Sequence, residues 1–236
     1  MVRSLDVLLT IQNKEVRPLG SASELSGFGI GYRWVCVDAP ASLGKSQILL
    51  EIKAALADRL CSICPDITTD IAVEIVESGV CQVKQPGALV SGVSMRDLAA
   101  DQDIPEGARF ALFVADRVIQ NSHVLDLLKT NSLVIQERGS FSTYVYQCVR
   151  GGVPFSVFDA MTRSLVLGRP DLLILLSPSD PCEDMAIDAY RNPPTHVLRL
   201  CAQNVALVSI DSGTPKQIAR RIVDAICGRS IVIPVG

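Results

Sequence analysis

An excess of charge of either sign is the first thing this sequence lacks: 22 lysines and arginines stand against 25 aspartates and glutamates, for a formal net charge of −3. Without a basic surplus there is no electrostatic footprint for a polyanion, so nucleic acid is disfavoured as a partner. Also missing is any run of about 18 uninterrupted apolar residues, the length a membrane-spanning helix needs. Charges break the first thirty residues before a signal-peptide core can form. These absences lead to the expectation of a soluble, intracellular protein of the cytoplasm with no membrane partner. Histidine is scarce, with only His123 and His196. Cys61 and Cys64 have zinc-ligand spacing, but no second pair follows to complete a site. The eight cysteines therefore read as buried thiols in a reducing compartment.

What is present is apolar bulk. Hydrophobic residues make up 48% and charged residues 20% of the 236 residues, enough to offset chain entropy and exclude global disorder. The length suits one α/β domain. Short β-branched runs alternate with helical patterns, the sign of a parallel sheet covered on both faces. Strands are expected at Tyr32–Asp38, Asp70–Val76, Leu133–Gln136, Leu172–Leu176 and Val205–Ile210. Helical periodicity runs over Lys45–Leu60, Ala108–Leu128, Ser142–Val149, Phe155–Val166 and Pro215–Ile226. Residues 1–30 form an extension, either an extra edge strand or a mobile arm. Residues 61–69 and 85–94 read as loops, and 230–236 as a short apolar tail.

The strongest local signal is Ala39-Pro40-Ala41-Ser42-Leu43-Gly44-Lys45-Ser46, directly after a buried strand and opening a helix. A phosphate loop sits in this position. Gly44 lets the backbone pass close to phosphate oxygens, while successive N–H groups and the helix N-terminus supply positive potential. Lys45 would contact the β- and γ-phosphates of ATP, and the Ser46 hydroxyl would ligate Mg²⁺. Ala39 stands where glycine is usual. The plainer alternative is a strand-to-helix turn with an incidental Gly-Lys-Ser.

A second cluster follows the third strand, beginning Glu137-Arg138-Gly139. Ligands gather at the carboxyl ends of parallel strands, so this pair lies beside the phosphate loop. A carboxylate there can orient Mg²⁺, and an arginine can hold a transferring phosphoryl group; a surface ion pair is the bland alternative. Arg117, late in an apolar helix, either reaches solvent or finds an anion. Lys84 adds a cation beyond a candidate strand, while Arg96 reads equally well as solvated.

Taken together, these stretches resemble the bacterial type of the thymidylate kinase family. DAPASLGKSQ matches its phosphate loop, and VKQPGALVSGVSMRDL its TREPGG loop and following helix. ALFVADR agrees in register, and ERGSFSTYVYQCVRGG is similar to its DR segment ending in YQ. LVLGRPDLLILL and VSIDSGTPKQIARRIVDAI follow in order, so the resemblance runs from Val35 to Cys227. It implies a P-loop NTPase fold with a five-stranded parallel sheet, a kinase domain over residues 31–229, a homodimer, and transfer of the ATP γ-phosphoryl group to dTMP. Lys45, Glu137 and Arg138 would be catalytic, with Ser46 and Glu137 at the metal. Arg117 and Lys84 would hold the acceptor's 5′-phosphate, and Arg96 would approach the thymine O4 edge. Thr143 would approach pyrimidine N3 and Tyr146 would pack on the deoxyribose, with Ser142 and Gln147 in the same acceptor site.

The departures from the pattern are specific. Ala41 replaces an aspartate that approaches the acceptor, Gly139 an aromatic or histidine, Glu137 an aspartate and Lys84 an arginine. The lid segment, residues 177–194, is short and acidic, with Arg191 its only cation, so Arg191, Arg150 or Arg163 would have to stand in for the lid arginines. Such divergence would suit a viral copy working in host cytoplasm. It leaves open a kinase of another pyrimidine acceptor, or a degenerate fold that binds nucleotide with little turnover.

Overall fold

A computed structural model describes residues 30–40, 44–63, 68–84, 86–87, 89–90, 93–101, 103–165, 168–178, 184–210, 213–228 and 233–234. Residues 1–29 of the expected 1–30 extension, loop residues Ala41, Ser42 and Leu43, Cys64, and residues 179–183 of the lid lie outside these residues.

The sheet is built around β1 (Trp34–Asp38), every residue of which is buried. Strand order is β2 (Val80–Lys84), β5 (Leu133–Glu137), β1, β6 (Leu172–Ser177), β7 (Asn204–Ser209) and β8 (Ile233–Pro234). The first five run parallel, and β8 pairs antiparallel with β7. The expected five-stranded parallel core is therefore present, and two residues of the apolar tail extend it.

Side chains alternate across a strand, so a sheet covered on both faces divides each strand between two cores. Val35, Val37, Ile174 and Val208 pack with α1 (Lys45–Ile63), α2 (Thr69–Gly79) and α9 (Pro215–Ile226). Cys36, Leu173, Leu175 and Val205 face α4 (Glu106–Thr130), α5 (Ser140–Thr143), a π-helix (Tyr144–Arg150), α6 (Phe155–Leu165), α7 (Met185–Arg191) and α8 (Thr195–Cys201). Burying both faces is what the near-continuous apolar strands Leu133–Glu137 and Leu172–Ser177 encode.

The segment 70–76 is a helix, not the expected strand. Its Ile and Val content favours β structure, but its buried positions, Ala72, Ile75, Val76 and Gly79, have the spacing of one helical face. Thr68 caps it by accepting from the Ile71 N–H, and Asp70 sits in its first turn, where a negative charge is favourable. The strand is the next five residues, ending on Lys84. The expected loop over 85–94 contains a two-residue hairpin, β3 (Leu89–Val90) with β4 (Val93–Ser94), followed by α3 (Met95–Ala100), which carries Arg96. Helices α7 and α8 had no counterpart in the sequence reading.

β1 lies between β5 and β6, the strands that follow it on either side of the sheet. The crevice beyond the carboxyl ends at such a reversal of order is where α/β folds bind ligands. The ends of β1, β5 and β2 there carry Asp38, Glu137 and Lys84.

Candidate active site

On the β1 side, Gly44 takes a left-handed φ of +65°, which favours glycine. Its carbonyl accepts from the Gln47 and Ile48 N–H groups and so opens α1. The next side chain, Lys45, turns inward: it is only 6% exposed, and its Nζ stands 3.6 Å from Glu137 Oε1. Burial lowers its pKa, against the pull of Asp38 and Glu137. Glu137 Oε2 in turn lies 3.3 Å from Lys84 Nζ. The carboxylate at the end of β5 thus joins the loop lysine to the lysine at the end of β2. A cleft of about 320 Å³ opens beside them between α1, β2 and β5, with Ser46, Lys84 and Glu137 in its wall.

Arg138 follows with a φ of 67°, the sole positive value at a non-glycine residue among those described. Its backbone is held at both ends. The Arg138 N–H donates to Val37 O at 3.0 Å. Its carbonyl accepts from Gln136 Nε2 at 2.7 Å, and Trp34 Nε1 fixes that amide by donating to Gln136 Oε1. The side chain donates from Nη1 to Ser142 Oγ at 3.2 Å and lies over Tyr146, 5.7 Å from the ring centroid. Burial opposes its charge, but Asp38, Tyr190 and Tyr146 outweigh this and raise its pKa. Gly139 leaves no room for the aromatic residue of the family pattern, because a Cβ there would fall 2.7 Å from Cys36 Sγ.

Arg117 is 2% exposed. Its Nε donates to Thr143 Oγ1 at 3.2 Å, whereas its buried Nη1 has no hydrogen-bond partner. Burial lowers its pKa, with Asp116 and Asp38 opposing. Asp116 Oδ1 accepts from the Gly87 N–H at 3.0 Å, tying the loop after β2 to α4. Glycine is required at 87, since a Cβ would meet Lys84 O at 2.5 Å. Ser142, Thr143 and Gln147 are buried and Tyr146 is half-buried. The last two sit on the π-helix, a form that recurs at functional sites.

The arrangement therefore brings together Lys45, Lys84, Arg117, Glu137, Arg138, Ser142, Thr143 and Tyr146, with Ser46 in the adjoining cleft wall. Arg96 is placed on α3. Of the candidate lid substitutes, Arg191 lies 3.6 Å from Asp188, Arg163 pairs with Asp159 at 2.7 Å on an exposed helix face, and Arg150 is exposed.

Two residues escaped sequence reasoning. Asp38 is fully buried and accepts from Ala39 N, Gly139 N, Ser142 N, Ser142 Oγ and Tyr190 Oη. Tyr190, on α7, is likewise fully buried, and burial with Asp38 beside it holds its phenol well above the ordinary value. An acid ending an otherwise apolar strand was the one available signal for Asp38.

A parallel sheet with a lysine-bearing turn after its central strand, and cations from neighbouring strand ends around it, defines a P-loop NTPase fold of the nucleotide kinase kind. The thymidylate kinase family model matches residues 69–193, just over half of the chain, and the chain belongs to that family. The match begins at α2, beyond the phosphate loop. Among solved structures, the thymidylate kinase from Ehrlichia chaffeensis superposes with a TM-score of 0.59 at 18% identity, covering 83% of this chain and 98% of that one. That likeness shows the shared fold. No curated protein matches the chain in sequence. No helix among the described residues is long and apolar enough to cross a membrane.

Proposed function

We propose that the chain transfers the γ-phosphoryl group of ATP to the 5′-phosphate of dTMP, giving dTDP. The observation that supports this reading is Arg117: a buried guanidinium with one nitrogen left unpartnered, its Nε donating to Thr143, both residues in segments that the family resemblance assigns to the acceptor. A buried N–H donor without an acceptor is costly, and a planar guanidinium fits phosphate oxygens in a two-pronged grip. Lys84, at the end of β2, would take the other side of the same phosphate. Tyr146, its ring under Arg138, would pack against the sugar. Thr143 accepts from Arg117 and keeps its own proton for the acceptor.

On the donor side, backbone N–H groups of the loop and Lys45 would hold the β- and γ-phosphates, and Arg138 would meet the charge of the transferring group. Phosphoryl transfer needs positioning and charge neutralisation more than covalent help. Lys45 must exchange Glu137 for phosphate as ATP enters, which frees one carboxylate oxygen. Ser46 and Glu137 offer one hydroxyl and one carboxylate on a single cleft wall. This sparse set suits Mg²⁺, which takes its remaining ligands from phosphates and water. When bound, that ion would neutralise charge on the β- and γ-oxygens.

Two departures favour a second reading, in which another pyrimidine nucleotide is the acceptor: Ala41 supplies no carboxylate, and Gly139 supplies no aromatic or histidine side chain. An ADP-release assay across the common nucleoside monophosphates decides. The expected result is the highest kcat/KM with dTMP; no stimulation by any pyrimidine would overturn both readings. A homodimer belongs to the same proposal, and light scattering on the eluting protein tests it.

A further inference from the structure

The mechanism leaves one buried carboxylate without a task. Asp38 Oδ1 accepts from Ala39 N at 2.9 Å, Ser142 Oγ at 2.6 Å and Tyr190 Oη at 3.0 Å; Oδ2 accepts from Ser142 N at 3.0 Å and Gly139 N at 3.2 Å. These donors come from separate working parts. Ala39 opens the phosphate loop. Gly139 follows Arg138 and fixes the turn that aims it. Ser142 accepts from Arg138 Nη1 and precedes Thr143, which holds Arg117. Tyr190 comes from α7, inside the lid segment. Its ring is already packed edge-on against Phe141 at 5.2 Å, so the hydroxyl adds registration rather than bulk.

We propose that Asp38 is a positioning residue that sets the donor half of the cleft in register with the acceptor half, and that Tyr190 extends this register to α7. One carboxylate holds both halves by short bonds, so neither can shift without stretching a bond to the other. A misplacement of about 1 Å in such a site slows reaction by about 100-fold. The rate consequence rests on the phosphoryl-transfer reading above; the binding consequence does not.

Tyr190→Phe is the test, since it removes the hydroxyl and keeps the ring. Its kcat should fall about 10- to 100-fold, with KM for ATP and for dTMP within about twofold of wild type, a split that simple loss of stability would not produce. In parallel, calorimetric titration of a non-hydrolysable ATP analogue with and without dTMP reads the coupling between the halves. Wild type should bind the second nucleotide more tightly than the first, and Tyr190→Phe should lose that difference while keeping each separate affinity. If Tyr190→Phe fails to fold, Asp38→Asn is read in the same two measurements. A folded variant with wild-type kcat and wild-type coupling overturns the proposal, as does independent binding in wild type. If wild type binds both nucleotides in coupled fashion but transfers nothing, the kinase reading falls, and the loss or survival of coupling in the variant decides this one.

Discussion

The turns after β1 and β5 solve the same backbone problem with opposite means. Gly44 has a φ of +65° and Arg138 a φ of 67°. Glycine reaches this region freely, whereas a residue with a Cβ is disfavoured there by roughly 1–2 kcal/mol. The first turn needs little support. The second is pinned by Val37 O, by the Gln136 amide and, through Gly139 N, by Asp38. A glycine at 138 would relax the backbone but place no charge over the cleft, and strain of this sort persists where surroundings over-determine it.

The most severe way to break this comparison is Arg138→Gly, which keeps the turn and discards the guanidinium. Turnover should fall by about 1000-fold, the scale for losing an arginine that meets transition-state charge. Unfolding free energy should change by less than about 1 kcal/mol, because relief of backbone strain offsets the lost Ser142 and Tyr146 contacts. Urea denaturation beside the steady-state assay separates the two effects.

Gly139→Ala attacks the support instead. Its Cβ would press on Cys36 Sγ at 2.7 Å, and overpacking of a filled core destabilises by about 1–3 kcal/mol. Placing the same change in a Cys36→Ala background should recover most of that loss, so a double-mutant cycle reads the contact directly. On the other turn, a Cβ at Gly44 meets no atom of the described residues within 4 Å, so the expected loss for Gly44→Ala is the conformational penalty, about 1 kcal/mol. Thermal unfolding of the two alanine variants ranks crowding against strain.

The smallest expected effect concerns charge. Burial lowers the Lys45 pKa from 10.5, whereas Asp38 and its neighbours raise that of Arg138. Just below pH 10.5 the unfolded chain still holds the lysine proton that the folded chain has released. Stability therefore rises with pH across that window. The difference in unfolding free energy between wild type and Lys45→Met should shift toward wild type as pH climbs through it, and saturating ATP should reverse the trend by re-pairing the ammonium.

The contrast between the turns also explains what the sequence could disclose. A glycine-lysine-serine after a buried strand is local grammar, and Glu137-Arg138 announces itself at the end of a second strand. The support behind Arg138 is not local. Asp38 meets Ser142 across 104 positions and Tyr190 across 152, and no short-range pattern marks those encounters. Thr143 illustrates the same limit: a place near a pyrimidine is only what the family resemblance implies for it, while its bond to Arg117 emerges once α4 packs on α5. The misjudged segment 70–76 failed for a different reason, since its β-branched residues outweighed a helical spacing that was present but brief.

The small strand β8 has a consequence for handling the protein. Ile233 lies opposite Val205 and Pro234 opposite Asn204, so a two-residue patch covers the outer side of β7. Proline has no amide hydrogen to offer a further strand, which makes it a natural stopper for sheet growth. Cutting the chain before Ile233 would bare the β7 backbone as a template for neighbouring molecules. Such a truncated protein should keep its nucleotide cleft and yet self-associate on concentration.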